Sequence, residues 1–349
     1  MATRYVDTDG ISGEFDSLTL ALADITFPLS EDEIIYVAAS TGVPDAGVTI
    51  PNTGGTYSLS IIDPIYRFGW DPEGYVIETV NSTRCVTITG GGVGSNSWVN
   101  VTGLQMLRSA QTSANQQLMM VGDLRAGSIV VDRCSFNAAF AASNNAVRMI
   151  WVGTDSRYNC VTQFKNNLIL GPISGDTAHD VFYFGNTFAP NTTYIDNNTI
   201  VRGTRAGAQL NSAERERGNV WLANNIWISA SPSAFSYVNS TNSVWGADFD
   251  TTPNPENEPL WANWTESNQV NADLSATFVD AAEDDYRLAE SDTVARDLGA
   301  DLSDLAPYAV THDKINTSRP QGEAFDIGAY EFIAPEVFNY PRFLMGPKA

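Results

Sequence analysis

"QFKNNLI" at 163–169, "YIDNNTI" at 194–200 and "WLANNIW" at 221–227 follow one plan. Each breaks an apolar, strand-like run with two asparagines and then resumes it. Asparagine is depleted in strands, so something other than strand propensity selects it. Aligned on the asparagines, "FKNNLI" starts at 164, "IDNNTI" at 195 and "LANNIW" at 222. Two weaker copies precede them, "VTGLQM" from 101 and "VDRCSF" from 131. Successive starts lie 30, 33, 31 and 27 residues apart. A period of that size is the signature of a solenoid.

No copy carries the i, i+3, i+4, i+7 stripe of a helix. The unit is strand, tight corner, strand, which predicts an all-β fold: a right-handed parallel β-helix with one copy per coil. The asparagines then have a reason. A coil bends sharply between strands, and a corner residue needs a left-handed backbone, which asparagine and glycine tolerate best. Gly103, at the place of the first asparagine, fits; Arg133, at the same place one coil later, fits poorly. Coils stacked ~4.8 Å apart set asparagine over asparagine. Asn166, Asn197 and Asn224, with Asn167, Asn198 and Asn225, are therefore expected to form a hydrogen-bonded ladder. The flanking Val, Ile, Leu and Phe should point inward. Burying one such side chain contributes about 1.5–3 kcal/mol. Ordering one residue costs about 1–2 kcal/mol of backbone entropy, so a lone coil fails and a stack holds.

Both open ends of such a stack need cover. In "GEFDSLTLALADI", Phe15, Leu18, Leu22 and Ile25 fall at helical spacing and predict an amphipathic lid. Strand-like runs follow at 33–38 and 57–62. The expected division is an N-terminal cap with first strands over 1–78, coils over 79–249, a β-rich C-terminal cap over 250–332 and an extended arm over 333–349. The arm carries three prolines with Phe338, Tyr340, Phe343, Leu344 and Met345. Proline keeps it extended, which suits packing on its own body or docking onto a partner.

Composition sets outer bounds. Apolar residues make up 43% of 349, enough for a sizeable core, and the net charge is −22. That acidity opposes nucleic acid and anionic membranes as partners. No apolar run approaches the ~20 residues of a membrane span. Cys85, Cys134 and Cys160 are odd in number, widely spaced and beside apolar runs, which reads as buried free thiols. "MATRYVDTDG" lacks the basic-then-apolar layout of an export signal, so manufacture in a cytoplasm is expected.

Two segments resemble a known group. "FVDAAEDDYRLAESDTVARDLGADL" at 278–302 and "RPQGEAFDIGAYEF" at 319–332 look like the closing segment of many right-handed parallel β-helix repeat proteins. "RYVDTDG" with "FDSLTLAL", and "FGWDPEGYVIE" at 68–78, resemble β-helix proteins of tailed bacteriophages. The resemblance implies a non-enzymatic virion surface protein. A capsid decoration protein is favoured over a tailspike, because strand-like sequence begins at Tyr5 with no coiled-coil heptads before it. Implied partners are capsid or other virion proteins, with a homotrimer as a plausible assembly. A tail fibre or spike that binds or cleaves host glycan is the alternative, served by exposed Trp98, Trp245, Trp261 and Trp264. A secreted bacterial surface protein is a third.

For catalysis the register offers little. Asp132, Lys165 and Asp196 stack on a position expected to face outward. The aspartates would lie about 10 Å apart across two coils, near the upper limit for an inverting glycosidase pair. An alternating charge ladder on a solvated face explains the column equally well. Asp7, Asp9 and Glu14 lack the full spacing of a calcium loop. Asp280, Glu283, Asp284 and Asp285 read as a solvated loop. His179, placed in a loop, and His312 read as surface residues without a triad partner. "SAERERGN" at 212–219 reads as an exposed polar loop. No cofactor, no metal and no catalytic residue is expected.

Overall fold

In the computed structural model, the residues described are 1–7, 15–38, 47–51, 53–54, 57–65, 75–78, 84–89, 96–109, 117–122, 126–138, 147–153, 160–171, 179–185, 192–201, 209–210, 219–228, 238–241, 243–245, 261–264, 272, 274–305 and 308–334. They form a parallel β-solenoid with three sheets along its length. The longest sheet has ten strands among the described residues, and the others have seven and six. Every pairing within these three sheets that joins one coil to the next is parallel, as between Ala126–Asp132 and Cys160–Lys165, then Cys160–Lys165 and Thr192–Asp196.

Each repeat of the sequence sits at the corner between the long sheet and the seven-stranded one. Asn96–Thr102 runs into Gly103 and then Gln105–Arg108. One coil on, Ala126–Asp132 runs into Arg133 and then Ser135–Ala138. The asparagine pairs occupy the same place in the next three coils. The first corner residue has positive φ each time: 78° at Gly103, 57° at Arg133, 55° at Asn166, 52° at Asn197 and 54° at Asn224. Arg133 thus adopts the left-handed corner that its residue type made improbable. Its guanidinium pairs with Asp132 at 3.2 Å, and its backbone N–H donates to Lys165 O at 3.1 Å. These contacts offset a left-handed cost of about 1–2 kcal/mol. At Gly103 a side chain has no room, since a Cβ there would lie 2.6 Å from Asp63 O.

The core is the expected apolar column. Val101, Val131, Phe164, Ile195 and Leu222 approach the corner from the long sheet, and Met106, Phe136, Ile169, Ile200 and Trp227 leave it. All ten are buried. Phe164, Phe182 and Trp227 meet edge to face. Cys85, Cys134 and Cys160 are buried free thiols, as their apolar settings implied. Burial pushes the Cys134 and Cys160 thiols up to about 12.

The N-terminal helix forms over Leu18–Ala23. Ser17 caps it by accepting from Leu20 N at 3.2 Å. Leu18, Ala21 and Leu22 face inward, and the helix packs on Ala2–Val6 and Val48–Ile50, end strands of the ten- and six-stranded sheets. The next strands are Glu33–Val37 and Leu59–Ile62. His179 opens the strand His179–Gly185 and pairs with Val147, so its expected loop position is corrected. Residues 8–14, 212–218 and the arm residues Phe338, Tyr340, Phe343, Leu344 and Met345 lie outside the described residues, as do the side chains of Trp245, Trp261 and Trp264.

The C-terminal closing segment is β-bearing, through an antiparallel hairpin of Phe278–Asp280 with Asp285–Leu288. Its placement is lateral. Its described contacts fall along the flank of the coils, from Ile226 and Asn224 back to Cys134 and Arg133. The reason is on that flank: Leu168, Leu170, Val201 and Ile228 point outward from the seven-stranded sheet and would be wetted. Instead Leu168, Leu170 and Val201 are buried against Tyr286, Ala329 and Tyr330, with Ile228 partly buried beside them.

Candidate functional site

Among the described residues, the corner ridge and the closing segment over it together bury Asp132, Asp196, Asp313, Lys314, Arg319, Asp326 and Glu331. The two asparagine positions of the ridge do different work. The second position points inward and forms a continuous ladder. Asn167 N and Nδ2 both donate to Asn198 Oδ1 at 2.9 Å, and Asn198 N and Nδ2 donate to Asn225 Oδ1 at 3.0 Å. The ladder runs on at both ends, from Cys134 N to Asn167 Oδ1 at 2.9 Å and from Asn225 N to Ser243 Oγ at 3.3 Å. The first position points outward and meets the closing segment. Asn197 Nδ2 donates to Asp326 O at 3.0 Å. Asn224 exchanges bonds with the Ala300 backbone, giving to its carbonyl and accepting from its N–H, both at 2.8 Å. Asn166 accepts from Arg319 Nη2 at 3.3 Å.

"RPQGEAFDIGAYE" is the knot of that segment. Arg319 and Glu331 form an ion pair of 2.6 Å with both side chains fully buried. Arg319 also donates to the carbonyls of Asp326 and Gly328, at 3.0 and 2.8 Å. The Glu331 carboxylate accepts from Gln321 N and Asp326 N at 3.0 and 2.9 Å. Asp313 folds its own loop by accepting from Ile315 N and Thr317 N, and it accepts from Glu331 N at 3.0 Å. Burial pushes Asp326 up to about 7, with Glu331 adding to the shift. Gly328, at φ 100°, lets the chain touch the coils: a Cβ there would lie 2.6 Å from Ile226 Cδ1. Lys314 plugs the next corners, Nζ donating to Arg133 O at 2.9 Å and Cys134 O at 3.2 Å. Burial pulls its ammonium down to about 8.

The column of Asp132, Lys165 and Asp196 is in the expected register, with Asp132 opposite Lys165 and Lys165 opposite Asp196. Its expected exposure is corrected. Asp132 is 9% exposed and Asp196 1%, because the closing segment lies over them. Asp132 Oδ1 accepts from Asn166 Nδ2 at 3.0 Å. Lys165 Nζ donates to Ala309 O at 2.9 Å, and Gln163 Nε2 donates to Tyr308 O at 2.7 Å. Tyr308 stacks on Tyr194 with ring centroids 5.4 Å apart. Burial pushes the Asp196 carboxyl up to about 7, against the pull of Gln163 and Lys165. A solvated charge ladder is therefore not what this column is.

Sequence reading missed Gln163, Tyr308, Asp313, Lys314, Arg319, Asp326 and Glu331 as parts of one cluster. The scarcity of lysine was the available signal: both Lys165 and Lys314 lie on the ridge. His312 is exposed, as expected. The acidic run is ordered at the hairpin turn, where Asp284 takes positive φ and Asp285 Oδ1 accepts from Arg287 Nε at 2.8 Å. Among the described residues no cluster of histidine, cysteine and carboxylate is arranged to hold a metal ion, and no helix is long and apolar enough to cross a membrane.

A second surface lies on the outward face of the long sheet. Trp98 is 40% exposed and Trp221 44%. Tyr5 and Tyr36 stack at 5.6 Å near its first edge and line a cavity of about 380 Å³ with Val6, Asp7, Val37, Ala38 and Pro64.

No protein-family model matches the chain, and no curated protein matches it. Among solved structures, the chain aligns with the crystal structure of pectate lyase Pel9A at 13% identity and a TM-score of 0.29, over 95% of this chain and 96% of that one.

Proposed function

We propose that this chain is a non-enzymatic structural protein of a tailed-phage particle, displayed on the head surface and attached through its C-terminal arm or a face of the solenoid. The observation that supports the non-enzymatic half is the roof over Asp132 and Asp196. A glycosidase needs both carboxylates open to substrate and water, and here each accepts a hydrogen bond under a fixed segment. The virion half rests on the resemblance of the closing and N-terminal segments. The copy number of the chain in purified particles tests it, by quantitative mass spectrometry against the major shell protein. A number comparable to the shell protein supports decoration, and absence from particles overturns the reading. Deleting 334–349 is expected to leave a folded solenoid that no longer binds the particle; undiminished binding would remove the arm from the proposal.

Glycan binding by a tail protein is the second reading, favoured by Trp98 and Trp221 on one outward sheet face. Aromatic rings present flat apolar surface with little conformational entropy to lose. A few copies per particle, with glycan affinity lost in Trp98→Ala and Trp221→Ala, would favour it.

A further inference from the structure

The outward row that carries Asp132, Lys165 and Asp196 extends to the first strand of the long sheet. Across the sheet it is Tyr5, Tyr36, Ile62, Thr102, Asp132, Lys165 and Asp196, one residue per strand. The closing segment covers the later half: Ala309 meets Lys165, and Lys314 and Asn316 bond to the corner of Arg133 and Cys134. The early half is more open. Tyr36, Ile62 and Thr102 are half-buried, and Tyr5 is 51% exposed. Tyr5 and Tyr36 stack with ring centroids 5.6 Å apart. With Val37, Ala38 and Pro64 they wall the cavity of about 380 Å³. Cavities that enclose a small ligand run from ~300 to ~1,000 Å³. Asp7 is the one carboxylate residue of its lining.

The C-terminal arm has the chemistry and the reach to fill it. Residues 335–349 carry three prolines and five large apolar residues, with Arg342 and Lys348 against one acid, Glu336. In a chain of 41 acidic and 19 basic residues that is a local reversal of sign, matched to a wall whose carboxylate is Asp7. Just before the arm, Phe332 packs on the cluster of Ile226 and under Arg296. The strand of that coil, Asn219–Ala223, is eighth in the long sheet and Ala2–Val6 is first. Seven strand spacings separate them, about 34 Å. A proline-bearing extended chain rises ~3.1 Å per residue, so a run from Phe332 spans that distance at about residue 343. Phe343, Leu344 and Met345 arrive there together. A tether whose length matches its span gives the highest effective concentration, which favours the chain's own arm over that of a second copy.

We propose that, in the free chain, the arm runs back along this row and seats Phe343, Leu344 and Met345 in the Tyr5–Tyr36 cavity. Tyrosine faces take a thioether well, and Arg342 is brought beside rings that attract a guanidinium. Seated in this way, the apolar arm is withheld from other copies until a stronger site competes for it. Its release to a particle rests on the virion reading; the seat itself does not, so either can fail alone.

Photocrosslinking in the full chain tests the seat. With p-benzoylphenylalanine at position 343, crosslinks should fall on peptides covering 1–6, 33–38 and 59–65 of the same chain. Their yield should hold constant on dilution. With Tyr5→Ala and Tyr36→Ala together it should drop by about tenfold, the loss expected when an anchoring aromatic is truncated. The probe at position 338 lies about 16 Å short of the cavity and should mark later coils instead. Hydroxyl-radical footprinting gives a second readout that leaves the coils unaltered: Tyr5 and Tyr36 should label faster when Phe343→Ser, Leu344→Ser and Met345→Ser are combined. Circular dichroism of each variant checks that the coils remain folded. Crosslinks that never reach those peptides, crosslinks between copies that fade on dilution, or unchanged labelling of the two tyrosines would overturn the proposal.

Discussion

The stacked coils and the closing segment lie against each other and are held by opposite means. The coils are a largely apolar column with a polar ridge at the corner, where the second asparagine of each pair finds its partner in the next coil. The closing segment has little regular structure, and buried charge organises it: Arg319 with Glu331, Asp313 and Asp326 on backbone N–H groups, and Lys314 on corner carbonyls. Repetition makes the first arrangement tolerant, since each coil repeats its neighbour's contacts. The second has no redundancy, because a buried charge that loses its partner is costly.

The difference can be broken most strongly at Arg319. Arg319→Met strands Glu331 and should destabilise the closing segment by about 3–5 kcal/mol, seen as an early urea transition while the far-ultraviolet spectrum of the coils persists. Phe164→Ala, costing about 3–5 kcal/mol by cavity formation, should instead unfold coils and segment together. If both variants show one shared transition, the two regions are a single cooperative unit. Next comes the ladder. Asn198→Ala leaves Asn167 N and the Phe164 carbonyl without their partner, and should cost about 1–3 kcal/mol. Asn197→Gly keeps the corner backbone unstrained and should cost less, losing the bonds to the closing segment at Asp326 O and from Asn224 Nδ2 of the next coil.

Acidity sharpens the contrast further. Asp326, held up to about 7 by burial, contributes stability that is fully present in acid and declines as pH rises toward 7. Lys314, drawn down to about 8, makes stability rise again as pH climbs from about 8 toward its ordinary ~10.4. Urea midpoints across pH should show a falling limb that Asp326→Asn flattens and a rising limb that Lys314→Met removes. The smallest effect is expected on the open sheet face: Trp98→Ala and Trp221→Ala should each change stability by about 0.5 kcal/mol or less, whatever they do to binding.

The coils were legible because their constraint is local and repeated. A left-handed corner every coil selects asparagine or glycine, and the apolar flanks fix the inward face. Arg133 shows the limit, since its corner is held by tertiary contacts that its residue type does not announce. The closing segment was legible only as a string. "RP" and "DIGAYE" were recognisable, but the pairing of Arg319 with Glu331 and the seating of Lys314 across 180 residues of sequence are not local properties. The same blindness misplaced Asp132 and Asp196. Strand alternation turned them outward correctly, yet nothing in their own strands says that another segment covers that face.

That cover is the central claim, and Tyr194 and Tyr308 offer its most direct measurement. Their rings stack across more than a hundred residues of sequence, one on the coil and one on the closing segment. A double-mutant cycle of Tyr194→Ala and Tyr308→Ala, read by urea unfolding, should give a coupling of about 0.5–1.5 kcal/mol. Additive effects, with a coupling indistinguishable from zero, would mean that the closing segment does not lie over the aspartate column.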